Sequence, residues 1–557
     1  MQLGELLVTG GILSQEQLGE ALKKQGETRQ RLGEILVEMN FITEKVLAEV
    51  LEFQLGFPFI HLYNTEVDAQ CVKLLPEDAA RKYGAIPIGI AKNKLQIAMI
   101  EPLNFSVIEQ IQFITGQEVQ PMIGLRSEIE QALNQYYGMQ GEFDEWIEET
   151  ASESALEPDE ADAADSDAPI IKLVNQMIHS AVHLKASDIH IEPDEKDVKI
   201  RYRIDGQLRL ERELPKNMQA LLTTRVKIVA KLNIAERRLP QDGNIQLHIA
   251  GKKIDIRVSI LPTVNGESIV LRLLDQSAGI KGLDELGFNK DNLRVFQKMS
   301  KRPNGIILIS GPTGSGKTST LYSILREMKD EDIKIITVED PVEYRFNGIS
   351  QVQVNTQIGM TFASSLRSIL RQDPNVVMVG EIRDPETAEI AVRASLTGHL
   401  VLSTIHTNNA LSTIDRLLDM GIEGYLIASS LACVTAQRLV RKVCASCAEW
   451  LPATDEEKVL LHAHKLIRSR DTEDLNLLKG RGCGACGHTG YQGRIGIHEV
   501  LVIDADVRAY IMANRTMGDF EKLLAGKSFR TMMSDGLEKV LEGKTDMQEV
   551  LKAVFHE

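Results

Sequence analysis

No stretch of this 557-residue chain approaches the roughly 18–20 uninterrupted apolar residues that a membrane span requires. The N-terminus, MQLGELLVTGG, has no basic region followed by an apolar one, so it does not read as a secretory signal. Together these absences predict a cytosolic protein. Basic blocks are missing too. There are 63 Lys and Arg against 79 Asp and Glu, a net charge of −16. No Lys/Arg-rich run supplies the patch that non-specific nucleic-acid binding needs. Cysteine is scarce, with six residues. What remains is a globular composition, 43% hydrophobic and 25% charged, with ample material for several cores. The length suits about three or four domains.

The negative charge is concentrated. Asp144 to Asp167 hold 11 acids and no Lys or Arg. The stretch ETASESALEPDEADAADSDAP has no aromatic residue and no apolar period, which predicts a solvated linker over 143–168. A spacer is the simpler reading than a partner-binding tail. It separates residues 1–142 from 169–557.

Four of the six cysteines are patterned. Cys444-Ala-Ser-Cys447 and Cys483-Gly-Ala-Cys486 are two CxxC pairs with 35 residues between them. In a cytosolic chain such pairs read as metal ligands before disulfides. Four thiolates suit tetrahedral zinc, and a redox pair is the alternative. A site closed by four thiolates has no open position, so no catalysis is assigned to it. The module spans 441–498. Cys71 and Cys433 stand alone in apolar contexts and read as core fillers.

The first 54 residues contain a duplication. QLGELLVTGGILSQEQLGEALKKQ (2–25) and RLGEILVEMNFITEKVLAEVLEFQ (31–54) align without gaps, with 9 of 24 positions identical. Each unit predicts a short helix, a turn and a second helix opened by Ser14 or Thr43 as N-cap. Periodicity alone fits a helical hairpin packed on its copy. The residues themselves resemble the tandem 24-residue motifs of the MshEN domain, which binds cyclic di-GMP. The resemblance rests on RLG, two leucines four apart, a terminal Gln and a five-residue spacer, here Gly26 to Gln30. It implies a dinucleotide site made of Gln2, Leu3, Gly4, Leu18, Leu22 and Gln25 with Arg31, Leu32, Gly33, Leu47, Leu51 and Gln54. Gln2 stands where the pattern has Arg, and Glu101 where it usually has Asp. A two-fold symmetric ligand suits two copies of one motif. Arg and apolar side chains suit its phosphates and purines. Residues 60–140 then read as a small α/β module, with AIPIGIAKNKLQIAMIEPLN a hairpin turning at Lys92–Lys94.

Residues 169–275 open with a predicted helix, PIIKLVNQMIHSAVHLKA, whose Pro169 suits a first turn. Strands SDIHIEP, KDVKIRYRID and KKIDIRVSI follow, interrupted by the helical LLTTRVKIVAKL. Asp205-Gly206 signals a hairpin. The small α/β domain is rich in Arg: Arg201, Arg203, Arg225, Arg237, Arg238, Arg257 and Arg272. Singly each reads as a surface charge. As a set they could face a phosphate on a neighbouring subunit.

Residues 276–557 carry the strongest signal. A buried-strand run, Gly305–Ser310, feeds Gly311-Pro312-Thr313-Gly314-Ser315-Gly316-Lys317-Thr318, and a helical pattern follows with Ser319. This is GxxxxGK[ST] in its strand–loop–helix context, a nucleoside-triphosphate site. Its backbone N–H groups curl around phosphates, Lys317 reaches the β and γ positions, and the Thr318 hydroxyl completes a Mg²⁺ shell. IITVEDPVEY and VVMVGEIRD are further buried runs ending in carboxylates, with Glu339, Asp340, Glu343 and Glu381 as candidates to hold Mg²⁺ or orient water. Spacing alone does not choose among them. A third run, His399–Thr404, leads to Ile405-His406-Thr407-Asn408, so two histidines are expected to flank one strand end in the site.

These boxes together resemble the PilB/GspE family of secretion ATPases over about residues 169–557. The resemblance implies a RecA-like, hexameric motor that hydrolyses ATP. It assigns Glu343 to polarising water and Glu381 to supporting Mg²⁺ or water. His399 and His406 would sense the γ-phosphate. Arg257 and Arg272 would reach the nucleotide on closure, and Arg367 and Arg371 in SLRSILRQDP would lie at an interface. It further implies a cytoplasmic protein peripheral to the inner face of the membrane. Its partners would be a PilC/GspF-like inner-membrane platform protein and cytoplasmic assembly proteins. The tetracysteine module favours extension over retraction. The expected role is type IV pilus assembly, with type II secretion the alternative. A nucleic-acid translocase is disfavoured by the acidic charge, and a receptor with a vestigial motor by the intact Lys317, Thr318, Glu343 and Glu381.

Overall fold

The structure is a computed structural model. It describes residues 3–9, 12–28, 32–39, 41–42, 46–47, 50, 52, 57–60, 62, 65, 67–91, 94–137, 163–249, 251–275, 279–468, 475–513, 520, 523–524, 527 and 529–555. These form two compact units, one of 1–158 with 483–488 and one of 159–482 with 489–557.

In the first unit the duplicated sequence gives helices Leu3–Thr9, Gln15–Thr28 and Leu32–Glu38. Ser14 caps the second helix as its sequence predicts. Its hydroxyl accepts from the Gln17 N–H at 3.2 Å, and the Gln17 side chain accepts from the Ser14 N–H at 2.9 Å. Leu7, Leu13, Ala21, Ile35, Leu36 and Ile42 make one small core from both copies. Gly4 allows the close approach: a Cβ there would lie 2.7 Å from Leu18 and 3.4 Å from Leu32. Three strands follow, β1 (Ala85–Ala91), β2 (Lys94–Met99) and β3 (Val119–Ile123). β1 and β2 pair antiparallel, as the hairpin pattern predicts, and β2 and β3 pair parallel. Residues 92 and 93 of its turn lie outside the described residues. Helices Phe105–Thr115 and Arg126–Tyr136 pack on this sheet.

The second unit opens with a helix at Ala163–His183. Pro169 therefore lies inside it, not in its first turn as expected. Proline holds a helical φ at the cost of one hydrogen bond, and the Ala/Asp-rich sequence before it suits a helix start. Six antiparallel strands come next: β4 (Asp188–Pro193), β5 (Asp197–Ile204), β6 (Gln207–Pro215), β7 (Gln241–Ile249), β8 (Lys252–Thr263) and β9 (Gly266–Asp275). Their order is β6-β5-β4-β9-β8-β7. Asp205 and Gly206 both have positive φ, 49° and 88°, the geometry a two-residue hairpin requires.

The larger sheet has the order β12-β11-β13-β14-β10-β15-β18. It comprises β10 (Gly305–Ser310), β11 (Ile335–Glu339), β12 (Ser350–Gln353), β13 (Val376–Val379), β14 (Leu400–Ile405), β15 (Leu431–Val443) and β18 (Tyr491–Val502). All neighbours are parallel except β15 and β18. Every residue of β10, β11, β13 and β14 is buried. Apolar cores built with the flanking helices lie against them, which is why these strands read as continuous apolar runs. β16 (Ala448–Pro452) and β17 (Asn476–Gly480) form a separate ribbon in the cysteine module.

One buried polar cluster joins β18 to the helix Met532–Leu541. Asp535 accepts from Asn289 Nδ2 at 2.7 Å and from the His498 N–H at 2.8 Å, and it pairs with Lys539. The His498 ring stacks on Phe288 with centroids 3.8 Å apart. Burial, and then the nearby Lys539 charge, hold His498 well below its ordinary pKa of 6.5. The folded chain thus keeps His498 neutral while the unfolded chain protonates it below about pH 6.5. Its contribution is fully present above that pH and is lost as pH falls. In thermal melts from pH 8 to 5, His498→Phe is expected to lose less Tm below pH 6.5 than the native chain. Parallel curves would contradict this.

Candidate active site

Parallel strands deliver their carboxyl ends to one edge of the sheet, where α/β proteins build their sites. β10 ends at Ser310, and the glycine-rich loop follows. Gly311 has φ 149°, and a Cβ on it would lie 2.5 Å from Ser315 Oγ and 2.6 Å from the Gln437 carbonyl. Gly316 has φ 89° and immediately precedes the helix Lys317–Met328. No side chain fits the first position, and L-residues rarely adopt the second conformation. Pro312, Thr313 and Gly314 are exposed at the loop's crest, as are Thr318 and Ser319 at the helix start, whereas Ser315 is buried. The helix N-terminus and the loop amides form an anion cradle.

Lys317 is 8% exposed. Its ammonium donates to the Gly311 and Pro312 carbonyls at 2.8 and 2.9 Å. Burial pushes its pKa down to about 8, opposed by Glu381 and reinforced by Arg438. Glu381 follows β13 and is held by Arg383 at 2.5 Å and by His406 Nε2 at 3.4 Å. Burial first, then Lys317, hold His406 below its ordinary pKa, against the pull of Glu381. Lys317, Glu381, Arg383 and His406 thus form one polar group at the strand ends.

The structure separates the remaining carboxylates. Glu339, the last residue of β11, is 3% exposed and faces inward. It accepts from Thr337 Oγ1 at 2.5 Å, from Gln351 Nε2 at 3.1 Å and from the Tyr322 hydroxyl. Those donors engage both its oxygens inside the protein, where the expectation was a carboxylate open to a metal. Asp340 is exposed at the strand end. Glu343 is partly exposed. Arg257 of β8 reaches it at 3.2 Å and also donates to the Val342 carbonyl at 3.3 Å. Arg272 stands opposite Arg257 in the ladder, but it is turned to Asp188 at 3.0 Å. Of the two, only Arg257 meets the candidate carboxylates.

His399 requires a correction. It lies just before β14, and its ring Nδ1 is 3.0 Å from the Ala394 carbonyl. His406 follows the other end of that strand, roughly 20 Å away at the usual rise per residue. The two histidines flank opposite ends, so His399 does not join the site within this chain. Arg367 pairs with Glu386 at 2.5 Å, and Arg371 donates to the Arg367 carbonyl at 2.9 Å.

Two residues on β15 escaped the sequence reading. Gln437 donates to the Ser315 carbonyl at 2.8 Å and accepts from Thr320 Oγ1 at 2.9 Å. It therefore braces both the loop and its helix. Arg438 donates to the Asn408 and Gln437 carbonyls at 2.9 and 3.1 Å. The signal was a polar Gln-Arg pair inside the otherwise buried run LACVTAQRLV.

Among the proposed dinucleotide residues, Gly4, Leu18, Leu32 and Gly33 lie on or beside the repeat core, and Leu47 packs against it. Leu22 is 48% exposed, and Gln25 lies in the last turn of the second helix. Leu3 is described only as helix backbone. Gln2, Arg31, Thr43, Leu51 and Gln54 lie outside the described residues. Glu101 lies just after β2.

The sulfurs of Cys444, Cys447, Cys483 and Cys486 lie within 4.8 Å of one another. Cys483 and Cys486 sulfurs are 3.8 Å apart, close to the edge of a tetrahedron with metal–sulfur bonds of about 2.3 Å. Backbone N–H groups of Gly482 and Cys483 donate to Cys447 and Cys486 sulfurs at 3.3 and 3.2 Å, a pattern that favours thiolates. The four fit a structural zinc.

A P-loop at the carboxyl edge of a mainly parallel sheet, with Lys317, Glu381 and His406 grouped at the strand ends, marks a P-loop ATPase. The chain belongs to the family described as "Type II/IV secretion system protein", whose model matches residues 163–552. The MshEN domain model matches residues 55–143, beginning just past the second repeat. The type II secretion system protein E of Xanthomonas campestris is 42% identical, covering 98% of this chain and 97% of its own. The type IV pilus assembly ATPase PilB of Myxococcus xanthus is 40% identical over 99% and 98%. The solved ATPase DotB of Yersinia pseudotuberculosis covers 70% of this chain and 94% of its own, with a TM-score of 0.51 and 21% identity, which shows the fold.

Proposed function

We propose that this ATPase is a cytoplasmic, homohexameric motor that powers type IV pilus assembly, peripheral to the inner face of the membrane. It would act on a PilC/GspF-like platform protein and cytoplasmic assembly partners, under control of cyclic di-GMP. The observation that carries the reading is the end-to-end likeness to a pilus assembly ATPase together with an undamaged phosphate site. The likeness to a type II secretion protein of equal extent supports the second reading, pseudopilus assembly.

In the proposed mechanism Lys317 and the loop amides bind the β- and γ-phosphates of ATP. Thr318 is the side chain that would complete the shell of Mg²⁺, which when bound neutralises phosphate charge. Glu343 orients and polarises the attacking water. Glu381 holds His406 near the γ-phosphate position. Arg257, carried on the middle sheet, contacts the Glu343 loop, so movement of that sheet and readiness for hydrolysis are linked. Arg272 would reach the nucleotide as the middle sheet closes, and Arg367 and Arg371 would serve an interface. Cys444, Cys447, Cys483 and Cys486 would hold zinc as a fixed knuckle.

Deleting the gene in its own host is expected to abolish surface pili and spare type II substrates. Loss of secretion with intact pili would install the second reading. Calorimetric titration of cyclic di-GMP into the full chain is expected to show binding near or below micromolar, lost in Arg31→Ala. A flat titration would make the repeat a docking module and leave regulation to partners.

A further inference from the structure

Tyr322 belongs to none of the recognised boxes, yet its hydroxyl sits at a junction. It lies on the helix Lys317–Met328, five residues beyond Lys317, or about 7.5 Å along the axis. The side chain is 1% exposed. Its hydroxyl donates to the buried Glu339 carboxylate. The same oxygen accepts from the backbone N–H of Glu343 at 3.1 Å and faces that of Tyr344 at 3.5 Å. Its ring meets Tyr344 and Phe346 edge-on, with centroids 5.9 and 5.2 Å apart. Burial, and then the bond to Glu339, push its pKa up, so the phenol keeps its proton.

The order of bonds matters. Thr337 and Gln351 fix Glu339. Glu339 takes the one proton Tyr322 can donate, so the phenolic lone pairs are left for the Glu343 amide. In a buried network each bond polarises the next, and an unpaired member is costly. The segment bearing Glu343 is thereby tied to the helix that bears Lys317.

We propose that Tyr322, oriented by Glu339, is a positioning residue that sets Glu343 against the phosphate-binding loop during ATP hydrolysis. This rests on the reading of Glu343 given above. Glu339 then serves the reaction as an anchor and not as a metal ligand.

The test is steady-state hydrolysis by the full chain with Tyr322→Phe, Glu343→Gln and the double variant. Tyr322→Phe keeps the ring. It is expected to lower kcat about tenfold, the scale of a modest misplacement, with KM for ATP within twofold. In the Glu343→Gln background the same change is expected to cost less than twofold, because the group it positions is already gone. An unchanged kcat in Tyr322→Phe, or an equal loss in both backgrounds, would overturn the proposal while leaving Glu343 in place. Native turnover by Glu343→Gln would instead remove the reading of Glu343, and this inference with it. If Tyr322→Phe alone is unstable, Tyr322→Phe with Glu339→Gln leaves no unpaired buried charge and is expected to show the same loss of kcat.

Discussion

The site depends on one constraint: four neighbouring parallel strands must be buried on both faces. That burial aligns β11, β13, β14 and β10 side by side and brings their carboxyl ends to a single edge. The glycine loop, Glu381 and His406 come from three separate sequence boxes and meet only because of this alignment, and Glu343 follows the end of β11 at the same edge. β15 adds the brace. Its Gln437 holds both the loop and the following helix, so the cradle is built before a ligand arrives, which lowers the cost of ordering it.

Electrostatics follow from the same geometry. Lys317 is buried enough for its pKa to fall to about 8, and Glu381 opposes that fall. A cation held this way is costly alone and is best satisfied by added negative charge. Triphosphate supplies such charge. Arg257 brings a second cation from the six-stranded sheet onto Glu343. Within the second unit the hairpin of β5 and β6 also meets the strands of the larger sheet: Asp205 accepts from the Gly493 N–H at 2.7 Å, and Arg441 bridges Gln207 at 3.0 Å and Glu549 at 2.6 Å. The middle sheet is thus tied to the larger sheet through named side chains.

Much of this was legible in the sequence, for physical reasons. The run Gly305–Ser310 can only be a buried strand, and the loop after it needs glycines where side chains would collide. The Asp205-Gly206 hairpin and the Ser14 cap are local chemistry, read from two or three residues. Roles that depend on direction were not legible. Glu339 and Glu343 lie four residues apart, and only the fold shows that the first is sealed inside. His399 and His406 look equivalent in sequence but stand at opposite ends of a strand. Gln437 and Tyr322 act across sequence separations of more than one hundred and about twenty residues, beyond the reach of any local pattern. Pro169 suggested a helix start because sequence shows where proline is tolerated best, not where the helix begins.

Everything in this site serves hydrolysis of ATP, proposed to take place at the loop ending in Lys317 and Thr318. Phosphate release by purified Lys317→Ala, with its melting profile confirmed against the native chain, tests it most directly. A fall of at least about a hundredfold is expected, the scale lost when a preorganised charge is removed from a developing phosphoryl transition state. Turnover within a few-fold of native in a folded variant would contradict it and place the chemistry elsewhere.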